Sequence, residues 1–179
     1  MSTEPPILLD TDFASSFAWV DRMDILESRY SGRMVILEEV MVELDRAPFV
    51  ADRVRPSVDR GHISVETMLA GSPEALQFAR LRESGRYGAG EASCMAYLLH
   101  HVGILASNNL ADVKRFCIVQ QIPLLTTADV LLQAHGEGRV SVGEADAIWG
   151  RMLACRRRLP AASFSEFLAA RRRRGVSQE

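Results

Sequence analysis

A chain of 179 residues with 47% hydrophobic and 25% charged residues is long enough to bury one full core and too balanced to be disordered or fibrous. Its longest apolar runs, such as Ile7-Leu8-Leu9 and Met34 to Leu37, are too short to span a bilayer, and Met1 to Pro6 lacks the basic start of a secretion signal, so a cytoplasmic chain without membrane association is expected. The net charge of −2 hides an asymmetry: residues 151–179 carry eight Arg against two Glu, or +6, and the first 150 carry 13 basic against 21 acidic residues, or −8.

Taken in order, Ile7-Leu8-Leu9 reads as a central buried strand that delivers Asp10-Thr11-Asp12 at its carboxyl end. Thr11 or Asp12 can cap the helix that follows through Ala14 to Trp19. A helix from Arg22 to Tyr30 ends near Gly32 and gives way to strand Met34-Val35-Ile36, and strands separated by helices imply parallel crossovers. Glu38 to Leu44 is helical by the spacing of Val40, Leu44 and Ala47. Glu39 and Glu43 share one face of it, and for any of these acids a solvated face is the plain alternative to a functional role. Pro48 opens a helix to Val58, Gly61 precedes a strand His62 to Val65, and Ser72-Pro73 opens a helix to Ser84. His62 is expected at an edge or on the surface.

Residues 88–116 hold the densest pattern. Gly88 and Gly90 free the backbone for a tight turn, and a helix starting at Glu91 carries Ala92, Met95, Ala96, Leu99 and Val102 on one stripe until Gly103 stops it. His100 and His101 fall in its last turn, where a protonated ring complements the helix dipole. Ile104-Leu105-Ala106 is a buried strand, and Ser107-Asn108-Asn109 hands over to a helix holding Asp112 near its start. A first-turn carboxylate beside a polar turn at a strand's carboxyl end lies where open α/β sheets place their ligands. Ile122 to Leu125 is a fifth strand, and Thr127 caps a helix from Ala128 to His135. Helices near Val142 to Arg156 and Ser163 to Arg173 complete the chain. Cys94, Cys117 and Cys155 form no paired metal motif, and reduced core thiols are expected.

Five short strands alternating with helices make an α/β fold. A strand ending in Asp-Thr at Asp10-Thr11, an acid in Val-Glu-Leu at Glu43, Gly-Ala-Gly-Glu-Ala from Gly88 to Ala92, and a polar turn opening a helix from Ser107 to Asp112 occur in that order. Together with Ile122-Pro123 and the leucine-rich helix after it, they resemble the PIN-domain nucleases, over residues 7 to 170. The resemblance implies a three-layer α/β/α PIN-like sandwich with a parallel sheet of about five strands and C-terminal helices. It divides the chain into a tail (1–6), a PIN-like domain (7–160) and a basic helix and tail (161–179).

It also implies a metal-dependent ribonuclease that cuts single-stranded RNA, in many members the toxin of a toxin–antitoxin pair, with an antitoxin or other protein partner and a homodimer compatible with that role. Mg²⁺ or Mn²⁺ would be held by Asp10, Glu91, Asn109 and Asp112, and the catalytic acids would be Asp10, Glu43, Glu91 and Asp112. Hard divalent ions take oxygen ligands. Where the family commonly places an acid, this chain has Ser107-Asn108-Asn109, and an amide brings no charge; Asp112, one turn on, partly compensates. Nucleic-acid contacts are expected at Thr11, Ser107 and Asn108, and from the arginine clusters Arg156, Arg157 and Arg158 and Arg171, Arg172, Arg173 and Arg174, whose charge suits a polyanion as well as a solvated end. Two other readings compete: a PIN-like module that binds RNA or a protein partner without cutting, and a nucleotide- or cofactor-binding α/β domain, weakened because no Gly-rich loop follows the first strand.

Overall fold

The computed structural model describes residues 4–176. Five short strands, β1 (Ile7–Leu9), β2 (Met34–Leu37), β3 (Ile63–Glu66), β4 (Ile104–Ala106) and β5 (Leu124–Leu125), form one all-parallel sheet in the order β3-β2-β1-β4-β5. Parallel strands buried on both faces read as continuous apolar runs, and Ile7, Leu8 and Leu9 are at most 1% exposed. Helices α1 (Thr11–Trp19), α2 (Met23–Tyr30), α3 (Glu38–Asp45) and α4 (Pro48–Asp59) occupy the first half of the chain; α5 (Pro73–Glu83), α6 (Ala89–Leu98), α7 (Leu110–Gln120), α8 (Thr127–Gly136), α9 (Val142–Ala154) and α10 (Phe164–Val176) occupy the second. The result is a three-layer α/β/α sandwich. No helix among the described residues is long and apolar enough to cross a membrane.

The sheet grows from β1 through β2 to β3, then crosses back to place β4 on the other side of β1. Strand order therefore reverses between β1 and β4, and a crevice opens outside their carboxyl ends. The register puts Leu9 beside Ala106, so Asp10 and Ser107 are the next residues out of each strand.

Several boundaries differ from those the sequence suggests. Helix α1 is capped by Asp10, whose Oδ1 accepts the Phe13 N–H at 2.7 Å, and not by Thr11 or Asp12. Helix α6 begins at Ala89 and ends at Leu98, before Gly103. A Cβ at Gly103 would stand 2.7 Å from Leu98 Cδ2 and 3.2 Å from the Pro6 carbonyl, so that glycine serves a close approach to the segment entering β1. His100 and His101 thus lie beyond the helix; His101 stacks on Tyr97 at 4.0 Å. Thr126, not Thr127, caps α8, in a reciprocal capping box with Asp129. Cys94 and Cys117 are buried, whereas Cys155 is half-exposed.

The C-terminal helices share the core. Trp149 and Phe164 are fully buried, the rings of Phe164 and Phe167 lie 6.0 and 5.6 Å from that of Trp149, and Trp149 Nε1 donates to the Ala161 carbonyl at 2.9 Å.

Candidate functional site

Four elements deliver carboxylates to the crevice. Asp10 leaves β1, Glu43 stands on α3, Glu91 lies in the first turn of α6 and Asp112 in the first turn of α7. Glu91 senses the charge of Asp112 and Glu43, and Asp10 senses that of Glu91.

The Glu43 side is a fixed clamp. Its Oε2 accepts the Thr11 hydroxyl and its Oε1 accepts the Gly90 N–H at 3.0 Å, which ties α3 to the starts of both α1 and α6. Only glycine fits at position 90: a Cβ there would collide with Thr11 Oγ1 and stand 2.8 Å from Glu43 Oε2. The turn-forming glycines of the sequence thus include one whose task is to let a carboxylate reach the backbone. Thr11, expected to touch nucleic acid, is turned to Glu43.

At the β4 end the three polar residues divide their work. Ser107 is fully buried; its hydroxyl hydrogen-bonds to the Asp10 carboxylate and accepts the Asn109 N–H at 3.2 Å. Asn108 is also buried. Its Nδ2 donates to Thr127 Oγ1 at 2.8 Å and to Ser16 Oγ at 3.3 Å, and its Oδ1 accepts the Thr127 N–H at 2.9 Å, so the amide staples β4 to α1 and α8. Of the residues expected to meet nucleic acid, Ser107 and Asn108 thus have their side chains bonded inward. Asn109 faces the crevice: its Nδ2 donates to Glu91 Oε1 at 3.0 Å and to Asp112 Oδ2 at 2.8 Å. Arg86 Nε lies 3.7 Å from Asp112 Oδ1, and Arg158 Nη1 donates to Asn109 Oδ1 at 3.4 Å.

Burial raises the affinity of Asp10 and Glu91 for protons. Asp10 is pushed up to about 7, chiefly by desolvation, with smaller rises from Asp12 and Glu91 set against the bonds from Ser107 and the Phe13 N–H. Glu91 is also raised, first by burial and further by Asp112 and Glu43, against the Asn109 amide. The Cys94 thiol nearby is pushed well above its ordinary range by burial and by Asp10, Glu39 and Glu43, which makes it a poor nucleophile. Glu39 belongs to this field too, with Oε2 buried and without a hydrogen-bond partner. The sequence signal for it was its position one turn before Glu43.

The arginines do not form a detached basic end. Arg157 Nη1 reaches Asp12 Oδ1 and Ser15 Oγ, each at 3.1 Å, and Arg158 meets Asn109 as described. Arg156 is exposed with φ 59°. Arg171 lies 3.6 Å from Asp129, Arg172 and Arg173 are exposed, and the side chain of Arg174 is outside the described residues.

Among the described residues, no three of His, Cys, Asp and Glu stand close enough together to hold a metal ion by themselves. The Asn109 amide bridges two of the acids, and Thr11 and Gly90 hold a third. In kind, the donors still suit a hard divalent cation: all are oxygens, and two, Asp10 and Glu91, are carboxylates whose ionisation burial disfavours and a cation would favour. No protein-family model matches the chain, and no curated protein matches it.

Proposed function

We propose that the protein is a divalent-metal-dependent phosphodiesterase of the PIN type that cuts single-stranded RNA. The observation that carries this reading is the convergence of Asp10, Glu43, Glu91 and Asp112 on the crevice where strand order reverses, with Asp10 desolvated and near 7. Asp10, Glu91, Asn109 and Asp112 would hold Mg²⁺ or Mn²⁺. The ion supplies an electrophile for the phosphoryl oxygens and a water of lowered pKa.

The chain's own groups complete the site. Asp10 Oδ1 accepts the Phe13 N–H, which fixes the orientation of the carboxylate that would meet the ion. Glu43, fixed at both oxygens, keeps α3 and α6 at one spacing and holds negative charge beside Glu91. Arg158, exposed at the rim beside Asn109, offers donors to a phosphate of the strand.

A second reading, a module that binds RNA without cutting it, is favoured by one observation. The Asn109 Nδ2 lies between Glu91 and Asp112 and satisfies both as a neutral donor. Cleavage of a mixed-sequence single-stranded RNA by wild type, Asp10→Ala and Asn109→Asp across a Mn²⁺ series separates the two. The nuclease reading expects weak wild-type cleavage at high Mn²⁺, loss in Asp10→Ala, and at least a tenfold gain in Asn109→Asp, because ligand charge tunes divalent-ion affinity. No cleavage by wild type with cleavage by Asn109→Asp would identify the binding module, and cleavage that persists in Asp10→Ala would sink the site assignment. Arrest of host growth by wild type but not by Asp10→Ala would extend the reading to a toxin.

A further inference from the structure

A cavity of about 250 Å³ opens beside the acidic crevice and shares Asn109 and Arg158 with it. Its walls are apolar: Leu110 and Ala111 from the start of α7, Ala128 from α8, and Leu159 and Pro160 from the segment between α9 and α10. Leu110 remains 38% exposed although it lines the wall, so apolar surface stands open to solvent there. Asn108, Asn109, Thr126 and Arg158 complete the lining. Asn108 is committed to Thr127 and Ser16, Thr126 to Asp129, and Asn109 to Glu91 and Asp112, which leaves the exposed Arg158 guanidinium to meet a ligand.

We infer that this cavity receives a nucleobase, the base of a nucleotide whose phosphate lies at Arg158. The inference rests on the RNA-directed reading above and adds to it a base pocket. Three properties point to that chemistry. The cavity is smaller than pockets that take drug-sized ligands, and so suits a single flat ring system. A mainly apolar lining with a few polar side chains in it matches a ring with apolar faces and a polar edge. The Arg158 guanidinium attracts a phosphate, and its bond to the shared Asn109 places that phosphate next to the acids.

The wall opposite α7 is held in place. Arg157 bonds to Asp12 and Ser15 one residue before Arg158, and Trp149 bonds to the Ala161 carbonyl one residue after Pro160. Both ends of the Arg158-Leu159-Pro160 strip are therefore anchored to buried or half-buried structure, and the pocket is formed before a ligand arrives.

The test compares binding of the four nucleoside 5′-monophosphates, ribose 5-phosphate and inorganic phosphate to the full chain in Mg²⁺ buffer, by calorimetry and by amide shifts. At least one nucleotide should bind tenfold or more tightly than ribose 5-phosphate, with shifts at Leu110, Ala111 and Leu159. Ala111→Trp, at an exposed position in the first turn of α7, fills the cavity and should bring that nucleotide down to the affinity of ribose 5-phosphate; Leu159→Ala should weaken it severalfold. A thermal melt matching wild type establishes that each variant is folded. A single-stranded RNA hexamer with one abasic position, set against the intact hexamer, separates a base within a strand from a free nucleotide: weaker binding of the abasic strand assigns the pocket to the strand, and equal binding assigns it to free nucleotide. Nucleotides binding no better than ribose 5-phosphate, or equally well to Ala111→Trp, overturn the proposal even if RNA is cut. Nucleotide binding lost in Ala111→Trp while RNA stays intact at every Mn²⁺ concentration sustains the pocket and removes the nuclease reading.

Discussion

The carboxyl ends of β1 and β4 lie side by side, and each is followed by a polar triplet. At β1 the triplet is Asp10-Thr11-Asp12; at β4 it is Ser107-Asn108-Asn109. The β1 end places a carboxylate in a desolvated position and steadies it with neutral donors from Phe13 and Ser107. The β4 end uses neutral side chains, one of them as a staple and one as a bridge between acids held by other elements. The difference teaches that neighbouring asparagines need not share a role: Asn108 belongs to the fold and Asn109 to the site, and burial separates them.

That contrast is most directly broken at Asn108. Asn108→Asp removes the donors to Thr127 and Ser16 and puts a buried charge in their place, so a loss of about 3 kcal/mol is expected in urea unfolding. Asn109→Asp should cost about 1 kcal/mol without divalent ions, by removing two donors from Glu91 and Asp112, and should regain stability on Mn²⁺ addition. Equal losses in the two variants, both insensitive to Mn²⁺, would erase the distinction.

At the β1 end, Gly90→Ala forces a methyl group against Thr11 and Glu43, and overpacking of this kind costs about 2 kcal/mol. A wild-type urea midpoint for that variant would mean that the clamp yields.

The protonation of Asp10 sharpens the comparison by a smaller step. Its native pKa, about 7, lies above the ordinary 3.8. The native state therefore holds the proton more tightly than the unfolded chain, and the contribution to stability is fully present below about pH 4 and is lost as pH rises through 7. Metal-free wild type should lose up to about 1 kcal/mol per pH unit across that window. Asp10→Asn should flatten the slope; an equally steep slope in the variant would assign the titration elsewhere. Arg157→Ala, which removes an ion pair with partly exposed partners, should cost under about 1 kcal/mol.

Much of this was legible in the sequence because β1, β2 and β4 are short, largely buried apolar runs, and each gives way to a polar residue at its carboxyl end. Asp10 and Asp112 follow from that pattern and Glu91 from its place in the first turn of a helix, whereas Glu43 is singled out by the resemblance alone. Asp10 was legible as a strand-end acid but not as the cap of α1, since Asp10, Thr11 and Asp12 are all competent caps and packing of Phe13 decides among them. The early end of α6 was hidden because Leu99 and Val102 continue the apolar spacing, although Val102 is 84% exposed. The inward turn of Asn108 depends on Thr127, which no local pattern relates to it. The docking of Arg157 on Asp12 joins residues 145 positions apart, and a run of arginines reads the same whether it is solvated or anchored.

That last contact also bears on the order in which the molecule becomes competent during synthesis. The ribosome delivers β1, its acids and the β4 turn well before Arg157 to Pro160, and contacts of such long sequence separation close late. A nascent chain that has emerged only as far as α8 already carries all four carboxylates, yet Asp12 has no Arg157 and the cavity beside Asn109 has no outer wall. The acids of the candidate site are thus translated early and the wall of the cavity beside them late, so a truncated or still-growing chain would carry the charge of the site without that wall.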